Sequence, residues 1–469
     1  MFNKTEASFF EGDWSFEKTE RSVLGLCKTL DRYAHKLTID DLRNDPRCAM
    51  IPHLSLDVVQ RVIQNVEAKL WRGVKPFENE VIYHTGPHHD DIMLGLMPFI
   101  NRQLRSPSNQ VHFAIMTSGY HSVTDAFLLG ALEDTLKYLR QGRIQMVRYP
   151  DFFDQGYRFK QVKDIHHYLD NVARKNPDEM RRGFCHRILR DAVGLWQIKS
   201  VEEVEARLEK EIENLRKAQP NSHEIQQLKG QIREFEEELV WAYAGTALDH
   251  IHHLRLGLYE EKKTEVPEPA EGPDSVQLGL SALRPFEGPQ GPQAQGLWSP
   301  NRDRDVAPIL EQLRVLKPTI ITVAMDSVGL GPNTHYKVMR SIAEAIRLWD
   351  KEADLSRLKI YGYRNVWSTY HPAEANVYVP VSLNAMAVFE KAFKDSYLTQ
   401  VKAEFPNPDF DGPFSELAES IWVKQYKDIQ LILGKDFFYD NHHPLVRATH
   451  GLLFLKQMNV EEFLAEAGR

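Results

Sequence analysis

Two short stretches carry the residue types that do chemistry. The first, "GPHHDDIMLG", runs from Gly86 to Gly95 and sets two histidines and two aspartates in a row between apolar segments. The second, "GPNTHYKVM", runs from Gly331 to Met339 and places His335 in the first turn of a helix candidate. Four ionisable groups at one junction cost free energy to bury without partners. They are therefore either solvated or hold something in common. His88 and Asp91 stand three apart, a spacing that brings both side chains to one side of a first helical turn. With His335 they make two imidazoles and one carboxylate with a position left open, the donor set of a catalytic-type metal site. Zinc suits it best, and iron or manganese accept the same ligands. Water at such a site is acidified towards neutrality, and Asp90, pointing away from the ligands, is placed to take its proton as general base. Each motif is weak alone: acid at a helix N-terminus is also what the dipole favours, and a histidine at a helix start is more often solvated or hydrogen-bonded than a ligand.

To bring these corners together the chain needs a layered sheet. "EVIYHT" reads as a strand, "DIMLGLMPFINRQL" as a helix apolar on most sides, "QVHFAIMTSG" as a second strand and "SVTDAFLLGALEDTLKYL" as a second helix. "TIITVA", "HYKVMRSIAEAIRLW" and "KIYGYRNVW" continue as strand, helix and strand, with Asn333 or Thr334 capping the helix. This alternation predicts an α/β, Rossmann-like, mostly parallel layered sheet. In such sheets ligands sit beyond the carboxyl ends of strands. Both chemical stretches follow directly on a strand, so two neighbouring parallel strands would bring them together.

The expected core spans 79–395, with a helical N-terminal extension over 1–78 and a helical C-terminal extension over 396–469. Ser55 is placed to cap the helix "LSLDVVQRVIQNVEAKLW". A charged, helical insertion interrupts the core at about 141–235. Val201, Val204, Leu208, Ile212 and Leu215 form one apolar stripe; Ile225, Leu228, Ile232, Phe235 and Leu239 form another after the break at Pro220. Two antiparallel helices fit this pattern, read as a structural arm. "HIHHLRLGLY" returns to the sheet, and the Pro/Gly-rich stretch over 264–300 reads as a long loop. The arm also offers a contact surface for a homo-oligomer.

Composition narrows the class. A chain of 469 residues with 42% apolar and 26% charged residues is that of an ordinary globular protein. The net charge of -8 argues against general binding to nucleic acid or to anionic membrane. No apolar run reaches bilayer length, and the start lacks the layout of a secretory signal. Cys27, Cys48 and Cys185 are far apart and odd in number, which suggests neither a disulfide framework nor a cysteine metal site. A cytoplasmic protein is the expectation.

The motif "PHHDD" (Pro87 to Asp91) with "GPNTH" (Gly331 to His335) resembles the LmbE-like (PIG-L) metal-dependent N-deacetylases. The likeness is closest to the LmbE-like domain appended to certain bacterial glucosamine-6-phosphate deaminases. "KLTIDDL", "MTSG", "EELVWAY", "HLRLGLYE", "LKPTIITVAMDSVGLGPNTH" and "YGYRNVW" follow that subgroup in order, from about Thr29 to Phe389. No segment is left to hold a sugar-isomerising deaminase domain. The resemblance implies His88, Asp91 and His335 as ligands of one divalent metal, zinc first, and Asp90 as general base. It implies attack of water on an acetamide carbonyl, releasing acetate and leaving an amine. The substrate it implies is a small N-acetylated amino sugar or conjugate of the N-acetylglucosamine type.

Two positions depart from the family pattern. His89 replaces a proline between the histidine and the aspartates. Pro332 stands where the family usually has an oxyanion-steadying histidine, and it offers no donor. Loss of one such donor costs about two to three orders of magnitude in rate. His89, His121, Arg364, and the pair His442 and His443 are the substitutes in view, although a packing or surface role is the commoner one for each. Arg364 follows a strand, where it could bind a phosphate or carboxylate of the substrate. Asp326 ends a strand beside the second motif and could orient a ligand histidine. Pro332 also motivates a second expectation, a metal- and sugar-binding protein without turnover. A structural or assembly protein without metal is the third.

Overall fold

The computed structural model describes residues 10, 12–149, 151–258, 298–326, 332–402, 410 and 412–468. Helices α1 (Phe16–Leu30) and α2 (Leu56–Val74) precede β1 (Val81–Gly86), α3 (Asp91–Leu104), β2 (Gln110–Ile115) and α4 (Asp125–Arg140). Next come α5 (Gln161–Ala173), α6 (Pro177–Trp196), α7 (Val201–Arg216), α8 (His223–Tyr243) and the short β3 (Ile251–His253). The chain continues as α9 (Ala307–Leu316), β4 (Ile320–Ala324), α10 (Asn333–Trp349), β5 (Lys359–Tyr363), β6 (Val377–Ser382) and α11 (Leu383–Ser396). It ends with α12 (Phe414–Leu433), β7 (Thr449–Met458) and α13 (Val460–Ala467).

Seven strands form one sheet in the order β3-β2-β1-β4-β5-β7-β6. The first five pair in parallel, and β7 runs antiparallel to both β5 and β6. The α/β, Rossmann-like layered architecture expected from the strand-helix alternation is the one observed. Successive strand residues point to opposite faces. Tyr83, Ile321 and Ile360 thus enter one core, while Ile82, Ile320 and Tyr361 enter the other. A sheet buried on both faces explains the near-continuous apolar runs of β1, β2 and β4. The chain builds β2 and β3 on one side of β1, then crosses to build β4 and β5 on the other. The β1–β4 boundary is therefore the topological switch point, where open α/β sheets leave a crevice.

The stretch before residue 79 is helical in its main elements, Phe16–Leu30 and Leu56–Val74, whereas the C-terminal stretch differs from the expected helical extension. The stretch Thr449–Met458 is a strand inserted between β5 and β6, with Leu452, Leu453, Phe454 and Leu455 all buried. A fully buried strand shows no alternation, so periodicity could not distinguish it from helix. Beside it, β6 tolerates Pro380 because it is an edge strand, where one backbone N–H is dispensable. Helix α2 lies directly on β6. At Gly73 an added Cβ would come within 1.8 Å of the Tyr378 carbonyl oxygen, so this approach requires glycine. Lys69 and Glu20, both buried, tie α2 to α1 through a 2.6 Å bond. Ser55 does stand at the N-cap of α2, though its side chain makes no capping bond.

The expected arm is also a correction. Helices α7 and α8 begin at Ser200 and Ser222, whose side chains accept from Glu203 N and Ile225 N. They do not project as a free hairpin. Helix α7 packs on α4, and α8 packs on α5, α6 and α11. Val204, Leu208, Ile212, Ile225, Leu228 and Phe235 share one core with α4, α5 and α6. Sequence reads an apolar stripe correctly but not the partner that covers it. The Pro/Gly-rich stretch lies outside the described residues apart from 298–300. Among the described residues no helix is long and apolar enough to cross a membrane.

Candidate metal centre

Strands β1 and β4 pair with Tyr83 opposite Ile321, so their carboxyl ends open side by side. After β1 the chain makes a turn through His88 and His89, and α3 starts at Asp91 with Asp90 as its N-cap residue. His88 thus precedes the helix instead of lying on its first turn. The Asp91 carboxylate folds back to accept the His88 backbone N–H at 2.7 Å, which fixes both side chains on one side. After β4, α10 starts at Asn333 behind Pro332, one residue earlier than an Asn333 cap would place it, and His335 lies in its first turn.

His88, Asp91 and His335 converge. His88 Nδ1, Asp91 Oδ2 and His335 Nε2 form a triangle whose three sides are each 3.2 Å. A tetrahedral ion with ligands at about 2.0–2.1 Å holds them about 3.3 Å apart, so the triangle has the edge a zinc-sized ion requires. Among the described residues this is the one group of three such side chains with ligand atoms close enough to share an ion.

The surroundings orient the donors. His335 Nδ1–H donates to Asp326 Oδ2 at 2.6 Å, which turns Nε2 toward the triangle, and Ser368 Oγ holds Asp326 Oδ1 at 2.9 Å. Asn365 donates to Asp91 Oδ1 at 2.6 Å, leaving Oδ2 as the inward atom. This carboxylate–histidine arrangement is what fixes tautomer and ring orientation at metal sites. Burial disfavours a charged His335, yet Asp91 and Asp326 outweigh it and raise its pKa to about 10. Burial likewise opposes the Asp91 charge, but His335 and His88 hold its carboxyl far below the usual range. The two carboxylates beside His335 thus favour positive charge at that corner of the triangle.

Asp90 stays outside the triangle, as its spacing suggests. Its carboxylate is buried and faces Arg233 Nη2 at 3.5 Å. Burial raises its pKa, Arg233 lowers it and Asp91 raises it again, with a net rise. Such a rise moves a carboxylate toward the range where it exchanges protons near neutral pH.

The remaining sequence candidates divide. His121 sits on the loop after β2, its ring 3.9 Å from that of Tyr120. The residue is exposed, and desolvation by neighbouring atoms, then Lys229 and His88, lower its pKa. The His89 ring is buried and stacks on His253 with centroids 5.6 Å apart, and among the described residues neither ring nitrogen has a hydrogen-bond partner. Arg364 is engaged elsewhere: it pairs with Glu374 at 2.9 Å, donates to Met325 O and Thr369 O, and lies over the Tyr370 ring at 4.1 Å. That role supports the loop after β5 and leaves its guanidinium occupied. His442 and His443 line a separate surface pocket with Trp71 and Asp440.

Residues missed by sequence reasoning come mainly from α8. Arg233, Glu236 and Glu237 are buried behind Asp90, and the Tyr397 hydroxyl sits between Glu237 and the His89 carbonyl, within hydrogen-bond distance of each. The available signal was "IREFEEEL", a charged run inside an apolar stripe. Asn365, two residues beyond the end of β5, was also missed. Comparison of the chain with protein-family models, with curated proteins and with solved structures finds no match.

Proposed function

We propose that this chain is a metal-dependent amidohydrolase, an N-deacetylase of the LmbE-like (PIG-L) kind acting on an N-acetylglucosamine-type substrate. What supports the reading most is the convergence of His88, Asp91 and His335 from corners 244 residues or more apart, with an equilateral donor spacing of 3.2 Å. A divalent ion held by these three residues, zinc in the first place, would polarise an amide carbonyl and acidify water at neutral pH. His88 and His335 supply nitrogen donors, and Asp91 supplies charge.

Asp90 accepts a proton from water as the new C–O bond forms at the acetamide carbon. It returns that proton to the departing nitrogen as the C–N bond breaks, leaving acetate and an amine. Asp326 and Asn365 keep the donors aimed. His121, on the loop after β2, is the sequence candidate we assign to steady the oxyanion in place of the donor that Pro332 lacks.

A second reading, binding of metal and sugar without turnover, rests on Pro332 alone. Acetate release from a panel of N-acetylglucosamine derivatives, with and without chelator, tests the two. Chelator-sensitive release that Asp90→Asn abolishes is expected. Tight sugar binding without release across the panel would favour the second reading, and a purified protein free of metal would remove both.

A further inference from the structure

Helix α8 is the part of the described chain that the proposed reaction leaves unused, although it comes closest to the proposed base. We infer that α8 belongs to the catalytic centre and that Arg233 is the positioning residue for Asp90; this rests on the reading of Asp90 as general base.

The Arg233 side chain is 1% exposed and its Nη2 lies 3.5 Å from Asp90 Oδ2. Among the described residues the Asp90 carboxylate forms its ion pair with Arg233 alone, and it makes no capping bond to its own helix. The guanidinium is itself clamped from behind. Its Nη1 donates to Glu236 and, at 3.0 Å, to Thr399 Oγ1. Glu236 in turn accepts the Thr399 backbone N–H at 2.6 Å. One face of Arg233 lies 5.5 Å from the centre of the Tyr397 ring. Tyr397 also holds the residue before Asp90, by donating to the His89 carbonyl.

The loop after β2 closes the other side. Gly230 of α8 faces Ser118, with 3.2 Å between an added Cβ and the serine Cβ. Gly119, at φ +60°, has no space for a side chain toward His89, whose Nδ1 would lie 2.9 Å from the added Cβ. Arg233 is thus held beside Asp90 by Glu236 on its own helix and by Tyr397 and Thr399 just beyond α11. A buried guanidinium clamped in this way keeps its charge on one side of the Asp90 carboxylate, which a mobile surface charge cannot do. The role of the insertion is then to complete the site, not to dock a partner.

The test uses the full-length, zinc-loaded protein and its Arg233→Met, Arg233→Lys and Arg233→Ala variants. All should keep their zinc, because the three ligands are untouched. Misplacement of a reacting group by about 1 Å costs about 100-fold in rate, so kcat of R233M should fall by about that factor with KM little changed. R233K should recover part of the loss, and millimolar guanidinium should restore R233A. Crystal structures of parent and R233M should show the Asp90 carboxylate displaced. Parental kcat in R233M, or an unmoved Asp90 carboxylate, would overturn the inference. A parent without turnover would remove the hydrolase reading instead, and the crystal comparison would still decide whether Arg233 positions Asp90. Should R233M fail to fold, R233K carries the same structural comparison.

Discussion

Asp326 is the sharpest probe of the metal centre because it touches the donors through one bond. Its Oδ2 accepts the His335 Nδ1–H at 2.6 Å and its Oδ1 accepts Ser368 Oγ at 2.9 Å. Asp326→Ala removes both acceptors and leaves the His335 N–H buried without a partner. The ring is then free to turn its Nε2 away from the triangle and loses the carboxylate that raises its basicity. Loss of such an outer partner lowers metal affinity by about 10- to 100-fold. Asp326→Ala belongs at the upper end, about 2.8 kcal/mol at about 1.4 kcal/mol per decade. Asp326→Asn keeps one oxygen for His335, and the serine hydroxyl can rotate to accept from the new amide. Only the charge is lost, so about tenfold is expected. Competition with a chromophoric zinc chelator at neutral pH measures both, with Ser368→Ala as a milder control. Zinc affinity of Asp326→Ala within about twofold of the parent would refute the reasoning, since His335 would then not need its carboxylate to act as a ligand.

Three further outcomes concern stability. His84 is buried between Thr322 and Gln103, and burial lowers its pKa to about 3, only partly offset by Gln103. Below pH 6.5 the unfolded chain takes up a proton that the folded chain refuses. Stability should therefore fall by about 1.4 kcal/mol per unit as pH drops from about 6.5 to about 3. His84→Gln should flatten that slope in urea titrations at about pH 6 and pH 4, and an unchanged slope would count against the assignment. Glu237 accepts from Trp241 at 2.6 Å and lies 2.5 Å from the Tyr397 hydroxyl, while burial, opposed by those contacts, raises its pKa to about 8. The folded form then holds a proton that the unfolded form releases above pH 4.5, so its stabilising effect is lost as pH rises through about 8. Glu237→Gln should gain about 1–3 kcal/mol at pH 8 in urea melts; a loss would show that the charged form is the one the fold needs. Lys69→Met leaves Glu20 buried without its cation and should cost about 3–5 kcal/mol by the same assay. Combining it with Glu20→Leu should cost less, because no uncompensated charge remains.

Much of the site could be read from local pattern. The convergence of His88, Asp91 and His335, the place of Asp90 outside them and the contact of Asp326 with His335 were all legible from residue chemistry beside strand ends. The strand-helix alternation likewise identified the layered α/β core. What escaped were partners. Arg364 looked free for a substrate, but Glu374 and Tyr370 occupy it. The strand at Thr449–Met458 looked helical, because burial on both faces erases alternation. Arg233 fell within what read as a structural arm, because a buried charge is marked only by the opposite charge that meets it, and Asp90 lies 143 residues earlier.

Periodicity along a chain reports which face of an element is apolar and where it begins and ends. That much the residues determined alone: parallel strands, polar corners at their ends and a His/Asp set divided between two of them. Which strands lie side by side was decided by the tertiary structure, through the pairing of β1 with β4. Side-chain period is the same for every buried strand, so only the packing of whole layers selects neighbours, and a three-donor site exists only once the neighbours are chosen.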